Sequence, residues 1–229
     1  ITRGIETIRA AGIEPCGFAA PGGRFHGALA RAMTAAGVSH SSEFGLAYDE
    51  LPFEPMAGGP LQLPIHPVCL GMFLDAARRR SAGAAAEQER EAAAAASEYF
   101  CRMAESRYRQ GEPAFFYGQA HRGLGRHGEM LRGLLRTIEG LAAIWKTTHR
   151  QFAAWWRARS GVRLVVWQEN SQFAIRAEAI ASPWRLGIEY CHGSHVARMP
   201  LEATTLRFSP DALAYEKRGD RPAVYPVRV

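Results

Sequence analysis

The stretch that decides the fold runs from residue 13 to residue 23 and reads Ile-Glu-Pro-Cys-Gly-Phe-Ala-Ala-Pro-Gly-Gly. Residues 13–18 have the short apolar pattern of a buried strand, and Pro21-Gly22-Gly23 then predicts a tight turn. A helix pattern follows and ends at Gly37, with apolar side chains at Phe25, Leu29, Met33 and Ala36. A strand, a turn and a helix in this order predict a β/α unit.

The same alternation continues on both sides of this unit. Ile1, Ile5 and Ile8 fall on one helical face before it, and Gly12 ends that helix. Further short apolar runs predict strands at residues 38–44, 61–66, 113–117 and 142–145. An amphipathic helix precedes the last of these strands, and a helix that buries Phe152 follows it. Repeated β/α units predict an α/β fold with a parallel sheet.

Residues 76–111 predict a helical insertion between the third and fourth strands. The alanine run at 92–96 favours a helix, and Glu98 and Glu105 each precede an arginine by four residues. We expect a long exposed helix that serves as a packing arm.

The pattern changes after Gly161. Short β-branched or aromatic runs, separated by Pro, Gly, Asn and Ser, predict antiparallel strands at 162–167, 172–177, 184–190, 204–208, 212–216 and 223–229. The sequence therefore predicts two domains, an α/β domain at 1–160 and a small β-rich module at 161–229.

Composition narrows the class of protein. The chain has 229 residues, of which 47% are hydrophobic and 22% charged, so wholesale disorder is excluded. No apolar run approaches the roughly 18 residues that a membrane span needs. The net charge is +6, but the cations are scattered arginines without a stripe, so we expect no nucleic-acid partner. The four cysteines form no C-x-x-C pair and predict buried side chains rather than disulfides or a zinc site.

The loops that follow the strands form the working face of a parallel barrel. Candidate binding residues in these loops are Pro21, Gly22, Gly23, Ser42, Glu43, Asp49, His66, Tyr117 and Gln119. A glycine pair after a strand lets backbone N–H groups approach a ligand oxygen, but it can also be a plain turn. His66 can likewise be a ligand or a hydrogen-bonded core histidine.

Residues 17–23, Gly-Phe-Ala-Ala-Pro-Gly-Gly, resemble the third motif, G-F-R-x-P-G-G, of the polysaccharide deacetylases, the NodB-homology carbohydrate esterases. Other stretches resemble a branch of that family associated with bacterial exopolysaccharide clusters; they lie at 41–44, 48–53, 63–67, 116–118 and 147–157. The resemblance covers about residues 1–159, roughly two-thirds of the chain.

The resemblance implies an incomplete (β/α) barrel of the polysaccharide deacetylase type, which removes acetyl groups from N-acetylated sugars of a polysaccharide with a divalent metal such as zinc. In the family, the metal polarises the amide carbonyl and backbone donors hold the oxyanion. The resemblance makes Pro21, Gly22 and Gly23 motif residues. It makes His121 a candidate for the general acid that protonates the leaving amine, if its loop shifts by two residues.

Two departures from the family pattern leave an alternative open. Ala19 stands where the motif has arginine, and Gln119 stands where the related Tyr-Gly-His-Pro pattern has histidine. The family's metal ligands precede the first helix, so we expect the intact protein to hold the metal and this chain alone to hold none. The alternatives to a deacetylase are a non-catalytic relative that binds glycan and a structural protein. The resemblance leaves the compartment open between bacterial cytoplasm and periplasm.

A second polar cluster lies at Glu189, Cys191, His192 and His195. His-x-x-His can contact one metal ion, but the pair falls in a turn of the β-rich module. We interpret it as the polar end of a hairpin.

Overall fold

The computed structural model describes residues 1–44, 51–72, 85–119, 125, 128–142, 144–178, 186–201 and 205–217. It is a mixed α/β structure that divides into two compact units, Ile1–Arg150 and Gln151–Val229. Among the described residues, no helix is both long and apolar enough to span a bilayer.

The first unit contains the helices that the apolar periodicity predicts. Its elements are α1 (Thr2–Ala10), β1 (Gly17–Phe18), α2 (Gly27–Ala35), β2 (His40–Ser41), β3 (Leu61–Gln62), α3 (Ala85–Gln110) and α4 (Gly128–Gly140). Helix α5 (His149–Ser160) begins in this unit. The Arg150 side chain anchors the start of α5, because its Nε donates to Cys16 Sγ (2.9 Å) and a terminal nitrogen donates to the carbonyl of Glu14 (2.8 Å).

The three short strands form a parallel sheet in the order β1-β2-β3. Gly17 is in register with His40, and His40 with Leu61. On its other side, β3 makes one antiparallel bridge, between Gln62 and Phe53. Within the described residues the sheet therefore stays open and does not close into a barrel. The predicted strands at 13–18, 38–44 and 61–66 are correct in place but too long.

One small core joins α1 and α2 to β1. Ile5, Met33 and Val38 are buried, and Phe18 of β1 and Leu29 of α2 pack against them. Ile5 is the buried member of the face predicted for α1, whereas Ile8 is 41% exposed.

A second core joins α3 to α4. Its buried side chains are Leu70, Ala96, Phe100, Ala104, Met130 and Leu134. The two helices approach closely where Gly133 faces Ser97, since a Cβ at Gly133 would lie 2.5 Å from the serine hydroxyl. The insertion is therefore packed along one face through a core of its own. Each fully buried large apolar side chain there contributes about 1.5–3 kcal/mol.

The predictions of a fourth strand at 113–117 and a fifth at 142–145 are wrong, because neither segment forms a regular strand. Residues 113–117 form no strand, although Phe115 and Tyr117 accept backbone hydrogen bonds from His66 (2.8 Å) and Leu70 (2.9 Å). Of the predicted strand at 142–145, the described residues are a turn and irregular chain. Both predictions used local apolarity alone, but a strand also needs a partner along its whole length.

The second unit contains two antiparallel sheets. The first has the order β4-β5-β8, with strands Arg163–Glu169, Gln172–Glu178 and Thr205–Phe208; the second has the order β6-β7-β9, with strands Leu186–His192, His195–Leu201 and Glu216–Lys217. Ring contacts join the sheets, because Tyr190 of β6 lies 5.9 Å from Phe173 and 5.4 Å from Phe208.

The antiparallel character of this module is confirmed, with two corrections. The sequence analysis does not predict β7. Its residues include Arg198 and Pro200, and they do not alternate regularly between apolar and polar side chains. The predicted strand at 212–216 is wrong, since Pro210–Ala212 form a 3-10 turn and only Glu216–Lys217 are paired. The strand predicted at 223–229 lies outside the described residues.

Candidate functional site

The candidate site is the carboxyl-terminal edge of the parallel sheet, and its first element is the glycine turn after β1. Pro21–Gly23 form an exposed 3-10 turn in which Gly22 and Gly23 have φ angles of 69° and 63°. These angles lie in the left-handed region, which side chains disfavour. A Cβ at Gly23 would also lie 3.2 Å from the carbonyl oxygen of Glu43. The turn thus needs both glycines for its conformation, and the second also for space.

Glu43 holds this turn against the end of β2. Its carboxylate is buried, with one oxygen accepting the N–H of Ala20 at 2.9 Å and the other accepting the hydroxyl hydrogen of Ser41. Both carboxylate oxygens are engaged, so Glu43 supports the loop that precedes the glycines. The neighbouring Ser42 is half-buried at the same edge.

His66 follows β3 and is enclosed by aromatic rings. It is 3% exposed, and the rings of Tyr99, Phe100 and Phe116 surround it at 5.5 to 5.9 Å between centroids. Its Nδ1 accepts the N–H of Val68 at 3.1 Å, which assigns the proton to Nε2, where the Tyr99 hydroxyl lies at 3.0 Å.

The surroundings of His66 favour its neutral form. Burial lowers the pKa of His66, the Val68 carbonyl oxygen 3.3 Å from Nδ1 raises it, and the nearby Arg107 guanidinium lowers it further. Arg107 is itself buried and paired with Glu112. Of the two roles that the sequence left open for His66, these contacts match the hydrogen-bonded core histidine.

Tyr117 and Gln119 lie on the segment beside His66. The Tyr117 hydroxyl donates to the carbonyl of Pro67 at 3.4 Å, and partial burial raises the pKa of this tyrosine. Gln119 is exposed. The structure therefore brings the predicted residues together in two groups, Pro21–Gly23 with Glu43 and His66 with Tyr117. The predicted residues Asp49 and His121 lie outside the described residues.

Sequence reasoning missed His40, which is 5% exposed and lies against Gly17. A Cβ at Gly17 would approach the His40 ring to well inside 3.0 Å, so the glycine makes room for the ring. His40 Nδ1 lies 2.9 Å from the Ser39 hydroxyl, and the His149 ring packs against it at 6.1 Å. Gly17 could have indicated this contact, since a glycine inside a predicted strand often marks the close approach of another group.

The described residues contain no group of three or more His, Cys, Asp or Glu side chains that could hold a metal ion. They therefore do not fit the divalent metal that the resemblance implies, and no residue among them is assigned to it. In the second unit, His192 and His195 face each other across the two-residue turn between β6 and β7, as expected for a hairpin end. All four cysteines are free thiols; three are half-buried, and Cys191 is exposed.

Comparison with known proteins identifies no relative of this chain. No protein-family model, curated protein or solved structure matches the chain.

Proposed function

We propose that the carboxyl-terminal edge of the parallel sheet is the sugar-binding rim of a polysaccharide deacetylase-type barrel, and that the protein removes acetyl groups from N-acetylated sugars of a polysaccharide. The observation that carries the proposal is the exposed Gly22-Gly23 turn, held in place by the buried Glu43 carboxylate. The glycines match those of the deacetylase motif, and the turn lies at the edge where parallel α/β folds bind ligands.

The turn suits a carbonyl or oxyanion ligand. Proline has no N–H, and the Gly23 N–H donates to the Ala20 carbonyl at 3.0 Å, so the Gly22 N–H is the donor that this turn offers to a ligand oxygen. Because neither glycine carries a side chain, an acetamido group can approach the backbone closely. Glu43 holds the preceding residue, Ala20, by a hydrogen bond, so the Gly22 donor is fixed before the ligand binds.

The aromatic group around His66 supports this rim. His66 is buried and hydrogen-bonded at both ring nitrogens, so it fixes the position of the chain between β3 and Leu70. Its role in the proposal is to position the Tyr117 segment rather than to transfer a proton. The metal chemistry that the family uses is assigned to none of the described residues.

A non-catalytic glycan-binding protein is the second candidate, and a specific observation favours it. Ala19 is exposed at the edge of β1, where the deacetylase motif places an arginine, and the exposed Gln119 replaces a histidine. Neither replacement can supply the charge or proton of the original residue.

Incubation of the full chain with N-acetylglucosamine oligomers separates the candidates. Release of acetate that Gly23→Ala reduces at least tenfold is the result expected for a deacetylase. Binding without acetate release supports the glycan-binding candidate. A protein that neither binds nor deacetylates these oligomers contradicts both.

Gly12→Ala is the matched control for that experiment. Gly12 also has a positive φ, of 77°, but a Cβ there would meet nothing within 4 Å, and it lies after α1, away from the rim. Both variants introduce a methyl group at a left-handed position, so only the loss specific to Gly23→Ala reports on the site.

A further inference from the structure

Strand β4 of the second unit has an open edge as far as the described residues show. It reads Arg-Leu-Val-Val-Trp-Gln-Glu and lies at one side of the β4-β5-β8 sheet. In the described part of the chain it pairs with β5 alone. None of its seven residues is buried, and Val166 at its centre is 56% exposed. An edge strand of this length without a proline can pair with another strand.

The register with β5 shows which backbone groups face outward. Glu169 and Gln172 flank a two-residue turn in which Asn170 has a φ of 56°. In such a hairpin the flanking pair exchanges two hydrogen bonds, and bonded and non-bonded pairs then alternate along the strands. Residues 163, 165, 167 and 169 therefore bond to β5. The N–H and C=O groups of Leu164, Val166 and Gln168 point to the open edge.

We propose that β4 pairs antiparallel with β4 of a second copy of this chain, with a two-fold axis at Val166. In this register Leu164 of each copy faces Gln168 of the other, and the two Val166 residues face each other. All the outward backbone groups of these three residues then find partners across the axis. The two three-stranded sheets become one continuous sheet of six strands.

The side chains of β4 are complementary to themselves in this register. Arg163 faces Glu169 of the second copy at both ends of the strand, and Val165 faces Trp167. Opposite charges and aromatic or β-branched pairs are the cross-strand pairs that stabilise sheets. On the other face, the two exposed Val166 side chains cover each other.

The contacts within one chain leave Arg163 and Glu169 able to form these pairs. Glu169 accepts the Trp167 indole N–H at 2.8 Å and lies 3.5 Å from Arg207. Its side chain is half exposed, and a carboxylate has about four acceptor positions, so Glu169 can accept a further hydrogen bond. Glu178, the neighbour of Arg163 across the hairpin, lies 3.2 Å from Arg176.

Neighbouring registers are poorer. A two-fold axis at Val165 leaves Glu169 outside the pairing, and an axis at Trp167 leaves Arg163 outside it. Each of these shifts loses both ion pairs and one of the three bonded pairs. The register centred on Val166 is therefore the one that the charges and the backbone both select. A single strand pair is small for an interface, so we expect a weak dimer with a dissociation constant of about micromolar size.

Sedimentation equilibrium of the full chain with charge-reversed variants tests this register. Arg163→Glu places two glutamates opposite each other at both ends, and Glu169→Arg places two arginines there. Each variant alone should dimerise at least tenfold more weakly than the native chain. An equimolar mixture of the two should form a heterodimer, because each strand then meets its complement. Circular dichroism melting of each variant checks that the hairpin folds, since the side chain that Arg163→Glu introduces would face Glu178 of β5.

Val166→Pro provides a second test, because it removes an N–H that faces outward while leaving the β4–β5 hydrogen bonds intact. It should abolish dimerisation. Residue-resolved hydrogen exchange of the native chain gives a readout without substitution. The amides of 164, 166 and 168 should gain protection with concentration, whereas those of 163, 165, 167 and 169 should be protected throughout. A chain that stays monomeric at millimolar concentration overturns the proposal. So does a dimer that Val166→Pro and the charge reversals leave unchanged.

Discussion

The carboxylate of Glu43 accepts the main-chain N–H of Ala20 at 2.9 Å and so joins the loop after β2 to the loop after β1. The contact spans 23 positions in the sequence, and the Glu43 side chain that makes it is buried. The second oxygen is used by Ser41, in the adjacent strand. The conformation of the glycine turn therefore depends on a side chain from the neighbouring β/α unit.

Replacing Glu43 with Gln should lower the free energy of unfolding by about 1–3 kcal/mol. The amide offers one acceptor oxygen to two donors, so its NH₂ group faces either the Ala20 N–H, which then has no acceptor, or the Ser41 hydroxyl, which must turn to accept; in both cases the charge-assisted bonds of the carboxylate are lost. Urea denaturation measures the change. Glu98→Gln is the matched control, because Glu98 forms an exposed pair with Arg102 and its loss should cost under about 0.5 kcal/mol. Equal stabilities of the two variants would show that Glu43 does not hold the turn.

Alanine at Gly22 and at Gly23 should have unequal effects. Both positions have positive φ, which costs a side chain about 1–2 kcal/mol. Only Gly23 also meets a neighbour, the carbonyl oxygen of Glu43 at 3.2 Å from the added Cβ. In equilibrium unfolding, Gly23→Ala should therefore be the more destabilising, while Gly22→Ala should match Gly12→Ala. The reverse order would contradict the close approach of the turn to Glu43.

Gln62→Met should raise the free energy of unfolding by about 1 kcal/mol. Gln62 is completely buried in β3, and neither its amide nitrogen nor its amide oxygen has a hydrogen-bond partner among the described residues. Methionine fills a similar volume without polar atoms that must be desolvated. Thermal and urea unfolding give the change, with the exposed Gln88→Met as control. A loss of stability in Gln62→Met would mean that the amide has a partner in solution.

Stability should fall as the pH drops below about 6.5, the ordinary pKa of histidine. Burial lowers the pKa of His66 in the folded chain, so the unfolded chain takes up a proton there while the folded chain does not. The contribution of His66 is fully present above pH 6.5 and decreases down to its lowered folded pKa. Unfolding free energies between pH 5 and 7.5 measure it.

His66→Gln should reduce that pH dependence to the part that His149 contributes, since burial lowers the pKa of His149 as well, whereas the exposed His195→Gln should retain it. Tyr99→Phe removes the hydroxyl at Nε2 and should reduce stability at every pH in this range. A slope that is identical in His66→Gln and in the native chain would contradict the neutral, buried imidazole.

Local sequence signals predict the helices and the glycine turn, because these depend on neighbours a few positions apart. The face of α1 that carries Ile5 and the turn at Gly22-Gly23 are of this kind. The antiparallel module is likewise visible in the spacing of its turns, two of which have positive φ at Asn170 and Gly193.

Contacts between distant segments are not visible in the sequence. The roles of Glu43 toward Ala20 and of Tyr99 toward His66 depend on side chains 23 and 33 positions apart. The strand lengths fail for the same reason, since the apolar run at 113–117 accepts backbone hydrogen bonds from His66 and Leu70 without forming a regular strand. Residue type predicts that His66 can form hydrogen bonds, but the surrounding rings decide whether a ligand can reach it.

The amide resonances of Gly22 and Gly23 offer the most direct test of the sugar-binding rim. In a nitrogen-15 NMR titration with an N-acetylglucosamine oligomer, the Gly22 amide, as the donor to the ligand, and the adjoining Gly23 amide should shift first and furthest. The same titration of Gly23→Ala should show at least tenfold weaker binding. Saturating oligomer that leaves both amides unmoved, or that shifts only residues of the second unit, would contradict the account.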